Sequence, residues 1–181
     1  MRYKYWMWPE GTVDDHTCDT WVWRYKSKVT DAGVSPSNKV DRDIRVSKTF
    51  FTQDEDVVAA MQNFMFAANR KAFGVNISPY VECQFTQYNG SESAYYDRHI
   101  DSFLADDGDM YDRKLSCVIL LSDPNDFEGG SLFLEADDSE TVDLKRGSVV
   151  VFPSFMAHRV APVTSGIRHT MVGWMSGPQW R

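Results

Sequence analysis

His99 and Asp101, in the stretch Tyr96-Asp97-Arg98-His99-Ile100-Asp101, are the residues best suited by type and spacing to do chemistry. On a strand, alternate side chains point to one face. An imidazole and a carboxylate two residues apart can therefore reach one metal ion, while Ile100 turns the other way, into packing. A third ligand candidate, His158, stands 59 residues after His99. Two imidazoles and one carboxylate on one side of a divalent ion such as Fe(II) leave the opposite positions open for a co-substrate and O₂. A lone histidine is more often a surface or satisfied core residue, and His16 and His169 are read that way. Strand parity agrees for His169: Arg168, Thr170, Val172 and Trp174 share one face, while His169 and Met171 share the other.

Arg168 follows His158 by ten residues, across the turn Pro162-Val163-Thr164-Ser165-Gly166. A planar guanidinium can donate two parallel hydrogen bonds to a carboxylate. The segment His158-Arg159-Val160-Ala161-Pro162-Val163-Thr164-Ser165-Gly166-Ile167-Arg168 resembles the distal-histidine segment of the Fe(II)/2-oxoglutarate dioxygenases. The closest likeness is to their prolyl 4-hydroxylase branch, including the PKHD-type hydroxylases, and it runs from about Val81 to Trp180. The resemblance implies that His99, Asp101 and His158 hold Fe(II) and that Arg168 pairs with the far carboxylate of 2-oxoglutarate. It further implies O₂ as co-substrate and ascorbate as a reductant. Tyr88 resembles the tyrosine that donates a hydroxyl to the co-substrate. The oxygen-sensing branch has another such tyrosine on the following strand, where this chain has Leu120 or a neighbour. Tyr96 and Trp174 resemble aromatic residues that border the family's substrate pocket.

Departures within the family refine what the resemblance implies. Its halogenases have a small residue where this chain has Asp101, so the carboxylate points to hydroxylation. Collagen-type prolyl 4-hydroxylases have lysine at the place of Arg168, which sets this chain nearer the PKHD and oxygen-sensing branches. Nucleic-acid demethylases of the family have a second arginine at the place of Trp174.

Composition narrows the partners. A net charge of −7 over 181 residues argues against a broad nucleic-acid or anionic-membrane surface. No apolar run approaches the length of a membrane span. The aromatic start, Met1 to Pro9, is too short for a signal peptide, so the expected location is cytoplasmic. Cys18, Cys83 and Cys117 have no metal-type spacing and read as reduced, buried thiols.

The elements that must position the candidate residues follow from pattern. Thr12-Val13-Asp14-Asp15 has capping-box spacing and opens a helix over 13–26, with Trp21, Val22 and Tyr25 inward. Ser27 to Asn38 reads as loop and Ile44 to Phe50 as a strand. Thr52-Gln53-Asp54-Glu55 opens the clearest helix, in which Val57, Val58, Met61, Phe64, Met65 and Ala68 recur on one face. That stripe is core, and Gly74 is its stop signal. From Tyr80 onward come eight short β runs: 80–88, 94–100, 114–121, 131–135, 140–144, 148–152, 157–163 and 168–175. The fold expected is mainly β with N-terminal helices (α+β), a jelly roll whose helices pack on one sheet. In the family this is the double-stranded β-helix, which sets the His99 and His158 strands side by side. Phe127-Glu128-Gly129-Gly130-Ser131-Leu132-Phe133 resembles the family's Gly-Gly strand start and has a structural role. Asp106 to Asp112 lacks the glycine and glutamate positions of a calcium loop. It reads as a solvated loop, and the resemblance makes it a lid that favours a basic or neutral peptide.

These readings predict a single domain over 1–181, with a support region over 1–79 and a jelly-roll core over 80–181 that carries the site. The expected function is hydroxylation of a prolyl residue in a peptide or protein, coupled to decarboxylation of 2-oxoglutarate to succinate, with neither nucleic acid nor membrane as partner. Two alternatives stand beside it. One is a hydroxylase of a small molecule or free amino acid; the other is a metal-binding jelly-roll module without turnover.

Overall fold

The β-branched and aromatic runs pair into two antiparallel sheets in the computed structural model, which describes residues 3–34, 39–102, 111–135 and 139–179. The N-terminal part supplies β1 (Trp6–Trp8), α1 (Asp15–Tyr25), β2 (Thr30–Asp31), β3 (Arg45–Val46), β4 (Lys48–Thr52) and α2 (Glu55–Ala68), which ends in a π-helical turn, Asn69–Phe73. The remaining strands are β5 (Val81–Asn89), β6 (Tyr95–His99), β7 (Tyr111–Leu120), β8 (Phe127–Gly129), β9 (Leu132–Glu135), β10 (Ser139–Val142), β11 (Val149–Pro153), β12 (Ala157–Val160) and β13 (Val163–Pro178).

The larger sheet runs β1-β11-β7-β13-β5-β4-β2, with β8 paired to one end of β13. The smaller sheet runs β10-β9-β12-β6-β3. Alternation along the strands gives the larger sheet two apolar faces. On β11, Val149 and Val151 join Trp21, Met61 and Met65 in a core beneath the helices. Val150 and Phe152, on the opposite face, join Leu132, Leu134 and Val160 of the smaller sheet. Full burial of a side chain such as Met61 contributes about 1.5–3 kcal/mol, so the helical layer anchors the sheet from behind. The jelly roll and its one-sided helices are thus as expected.

Local details depart from the sequence reading. The cap of α1 is Asp14, not Thr12: the Asp14 carboxylate accepts from the Thr17 N–H at 2.8 Å, while the Thr12 hydroxyl donates to the Pro9 carbonyl at 2.7 Å. At α2 the Asp54 carboxylate makes no cap, because it accepts from the Tyr25 hydroxyl at 2.7 Å and pairs with Arg24. The strand expected over 44–50 is two strands in different sheets, β3 and β4, with the chain crossing over at Ser47. That crossing explains the broken alternation. β1, β2 and β8 were not expected; β1 lines the edge of the larger sheet, and its Trp8 packs on Phe64 of α2. Among the described residues no helix is long and apolar enough to cross a membrane. The three cysteines are free and buried.

Candidate active site

β6 and β12 are neighbours in the smaller sheet, and their register sets His158 opposite His99. The two rings lie 4.1 Å apart between centroids. β6 stops at His99, and the N–H groups of Asp101 and Ser102 both donate to the Ser154 carbonyl at 2.9 Å. This turns Asp101 inward toward the larger sheet, where the Ser116 hydroxyl of β7 donates to its Oδ2 at 2.7 Å. His158 Nε2 stands 3.3 Å from Oδ2, and His99 Nε2 stands 3.7 Å from Oδ1. One donor atom from each of His99, Asp101 and His158 lies within 4.8 Å of the others. Ile100 departs from its expected place in packing: it is 46% exposed, because strand parity ends with β6.

Both imidazoles have their tautomer fixed from behind. His99 Nδ1 lies 2.7 Å from the Asp97 carbonyl, and His158 Nδ1 lies 2.9 Å from the Met156 carbonyl. A carbonyl only accepts, so each Nδ1 carries the proton and each Nε2 offers its lone pair to the site. Burial, then the neighbouring His158, pushes the His99 imidazole down to about 4. Burial works against charge on His158 too, but Asp101 beside it raises that imidazole above its ordinary value. Burial alone would raise the Asp101 carboxyl; His158, His99 and the Ser116 hydroxyl outweigh it and hold the group well below the usual carboxylate range. Two neutral-capable nitrogens and one permanent carboxylate face the same side, the donor set that suits Fe(II).

These atoms line a cavity of about 370 Å³ between the two sheets, within the ordinary size of a small-molecule site. One wall is β13, which contributes Arg168, Thr170, Val172 and Trp174, and beside it β5 contributes Gln84, Thr86 and Tyr88. Arg168 is 3% exposed and sits opposite Tyr88 in the strand register. Its Cζ lies 5.5 Å from the centre of the Tyr88 ring. Among the described residues no carboxylate pairs with this guanidinium, and burial pushes its pKa down. Gly130 makes room for it: with φ of +66°, a Cβ there would meet Arg168 Cδ at 2.7 Å.

Tyr96 lies flat on the His99 ring, 3.5 Å between centroids and 14° between planes. Trp174 lies six residues beyond Arg168 on β13, roughly 20 Å along the strand, and its buried Nε1 has no partner among the described residues. Arg113 covers the Trp174 ring at 4.1 Å and pairs with Glu82. The cavity therefore gathers Tyr88, Tyr96 and Trp174 with the three ligand candidates and Arg168. Leu120 is buried outside the lining, and Val118 of the same strand lines the cavity instead. The expected lid, Asp106 to Asp112, lies outside the described residues up to position 110. Ser116, Gln84, Arg113 and Arg45 belong to the site and were not singled out in the sequence. Strand parity with Tyr88 could have indicated Gln84.

Comparison with known proteins agrees with this geometry. Residues 83–176, more than half of the chain, match the model of the 2OG-Fe(II) oxygenase superfamily. A PKHD-type hydroxylase of Synechococcus elongatus is 44% identical over 82 residues, which cover 44% of this chain and 37% of that relative. The aligned stretch therefore spans little more than a third of the relative's length. Among solved structures, a prolyl-4-hydroxylase of Pseudomonas putida superposes with a TM-score of 0.73 at 23% identity, covering 98% of this chain and 94% of that one. A prolyl hydroxylase of Trichoplax adhaerens, in complex with a hypoxia inducible factor oxygen degradation domain peptide fragment, superposes with a TM-score of 0.73 at 19% identity, covering 95% and 83%. At these identities the likeness to the solved structures is one of fold.

Proposed function

The chain belongs to the 2OG-Fe(II) oxygenase superfamily, and we propose that within it the protein is a 2-oxoglutarate-dependent hydroxylase that acts on a prolyl residue of a peptide or protein. The observation that carries the reading is the buried Arg168, unpaired by any described carboxylate, in the same cavity as the converging donors of His99, Asp101 and His158. A desolvated cation without a counter-ion is costly, and a bound dicarboxylate would supply the missing charge. When bound, Fe(II) and 2-oxoglutarate would supply the oxidising chemistry together with O₂: the co-substrate would lose CO₂ and take one oxygen atom to become succinate, and the other oxygen atom would convert a substrate C–H to C–OH.

This reading assigns each residue a role. His99, Asp101 and His158 hold the metal, and the carbonyls of Asp97 and Met156 fix which imidazole nitrogen faces it. Ser116 holds the Asp101 carboxylate in its ionised form. Arg168 takes the distal carboxylate of 2-oxoglutarate, and Tyr88, opposite it, donates a hydroxyl to the same molecule. Tyr96, flat on His99, and Trp174, further along β13 from Arg168, border the substrate. The prolyl substrate is supported by the likeness to PKHD-type hydroxylases and to prolyl hydroxylase folds.

The test is turnover with proline-containing peptides under Fe(II), 2-oxoglutarate and O₂. The expected result is succinate formation matched by peptide that has gained one oxygen atom on proline, and loss of both in His158→Ala. Full turnover by His158→Ala would remove the metal assignment. Hydroxylation confined to free amino acids would leave the enzyme class standing and replace the substrate.

A further inference from the structure

Arg45 is a second buried arginine in the same cavity. It is 9% exposed, and its interactions with the described residues are all with neutral groups. Nε donates to the Ser47 hydroxyl at 2.7 Å, Nη2 to Gln84 Oε1 at 3.2 Å, and Nη1 reaches the Gly33 carbonyl at 3.5 Å. Its Cζ lies 4.4 Å from the centre of the Tyr96 ring, the ring that stacks on His99. The chain carries 26 acidic residues against 19 basic ones, yet none of the described carboxylates pairs with Arg45. A guanidinium has five N–H donors, so these contacts leave two of them for a ligand. The neutral partners orient the group without neutralising it. A structural arginine in this position would be better served by a carboxylate.

Arg168 and Arg45 answer to different groups. Tyr88, which faces Arg168, and Gln84, which holds Arg45, are four residues apart on β5, roughly 13 Å along the strand. The co-substrate carboxylate held at Arg168 therefore leaves Arg45 unsatisfied on the substrate side, beside Tyr96. We propose that Arg45 is the receptor for a carboxylate on the substrate, so that the molecule hydroxylated carries an acidic group close to the reacting carbon. This rests on the reading of the cavity as a 2-oxoglutarate-dependent site. The carboxylate comes either from the free terminus of an amino acid or from an acidic side chain next to the target residue.

The experiment measures binding to the protein loaded with Mn(II) and 2-oxoglutarate without O₂, by calorimetry, for three matched pairs. N-acetylproline against N-acetylprolinamide tests a free terminus. Ac-Pro-Asp-NH₂ against Ac-Pro-Asn-NH₂, and Ac-Asp-Pro-NH₂ against Ac-Asn-Pro-NH₂, test a side chain on either side. In at least one pair the charged member should bind at least tenfold more tightly to the wild type, and Arg45→Gln should erase the difference while Arg45→Lys keeps part of it. The pair that responds identifies the source of the carboxylate. Equal binding within all three pairs overturns the proposal with no variant needed, and a preference that survives in Arg45→Gln removes Arg45 from it. Binding of 2-oxoglutarate is recorded first on the same samples; its failure in the wild type would count against the dioxygenase reading, separately from the comparison within pairs.

Discussion

Asp101 is held from three directions, by His158, by His99 and by the Ser116 hydroxyl, and each contact favours its ionised form. The adjacent-parity contrast between Arg168 and His169 is equally local. Arg168 faces the cavity, whereas His169 turns to the helical side, stacks on Phe85 at 5.3 Å and meets Ser122 and Gln87. Burial, and then Lys26, lowers the His169 imidazole from 6.5 to about 4. The unfolded chain takes up this proton first, so His169 supports the fold fully above about pH 6.5. That support is lost as pH falls toward 4, with a slope of at most about 1.4 kcal/mol per pH unit. His169→Gln should flatten the fall in unfolding free energy between pH 7 and pH 5, measured by urea titration; an unchanged slope would contradict the assigned burial of the neutral form. His99, Asp101, His158 and Arg168 were legible because a few local spacings carry them. Arg45 and Ser116 were not, because each reaches the site through pairing between distant segments.

Elements place these residues by register and by one tight turn. The antiparallel pairing of β6 and β12 replaces a sequence separation of 59 residues by direct opposition of two imidazoles. The periodic stripe of α2 was readable, since Val57, Met61, Met65 and Ala68 are all buried. The caps were less so, because Asp14 and Thr12, or Asp54 and Thr52, compete for the same role and distant partners decide the outcome. Arg45 was hidden by β3, a strand of two residues that passes straight into the other sheet; so short a run has no visible period. The turn between β8 and β9 has a different function, to leave space beneath Arg168. Gly130→Ala would place a methyl group against Arg168 Cδ and Val163 Cγ2, at a φ of +66°. The left-handed backbone alone costs about 1–2 kcal/mol. The expected result is weaker 2-oxoglutarate binding together with that modest loss of stability, measured by calorimetry and denaturant unfolding. Affinity unchanged in a destabilised variant would separate the turn from the site.

At the scale of the whole molecule, the larger sheet divides the labour. Its helix-covered face is sealed by apolar side chains. Its other face, toward the smaller sheet, opens into a cavity where arginines gather despite a net charge of −7. Bulk charge therefore describes the outer surface and says little about the ligand. The layering was legible from the order of helical and strand periods; the joining of β1 to the sheet edge was not, since three residues, two tryptophans around a methionine, carry no strand period. The most direct measurement of the central claim is an anaerobic titration with Fe(II) and 2-oxoglutarate, followed by the visible charge-transfer band of the chelated co-substrate. The account predicts that the band appears with the wild type and that Arg168→Ala weakens 2-oxoglutarate binding by about 2–5 kcal/mol. Iron binding without a band, or an Arg168→Ala variant with wild-type affinity, would contradict it.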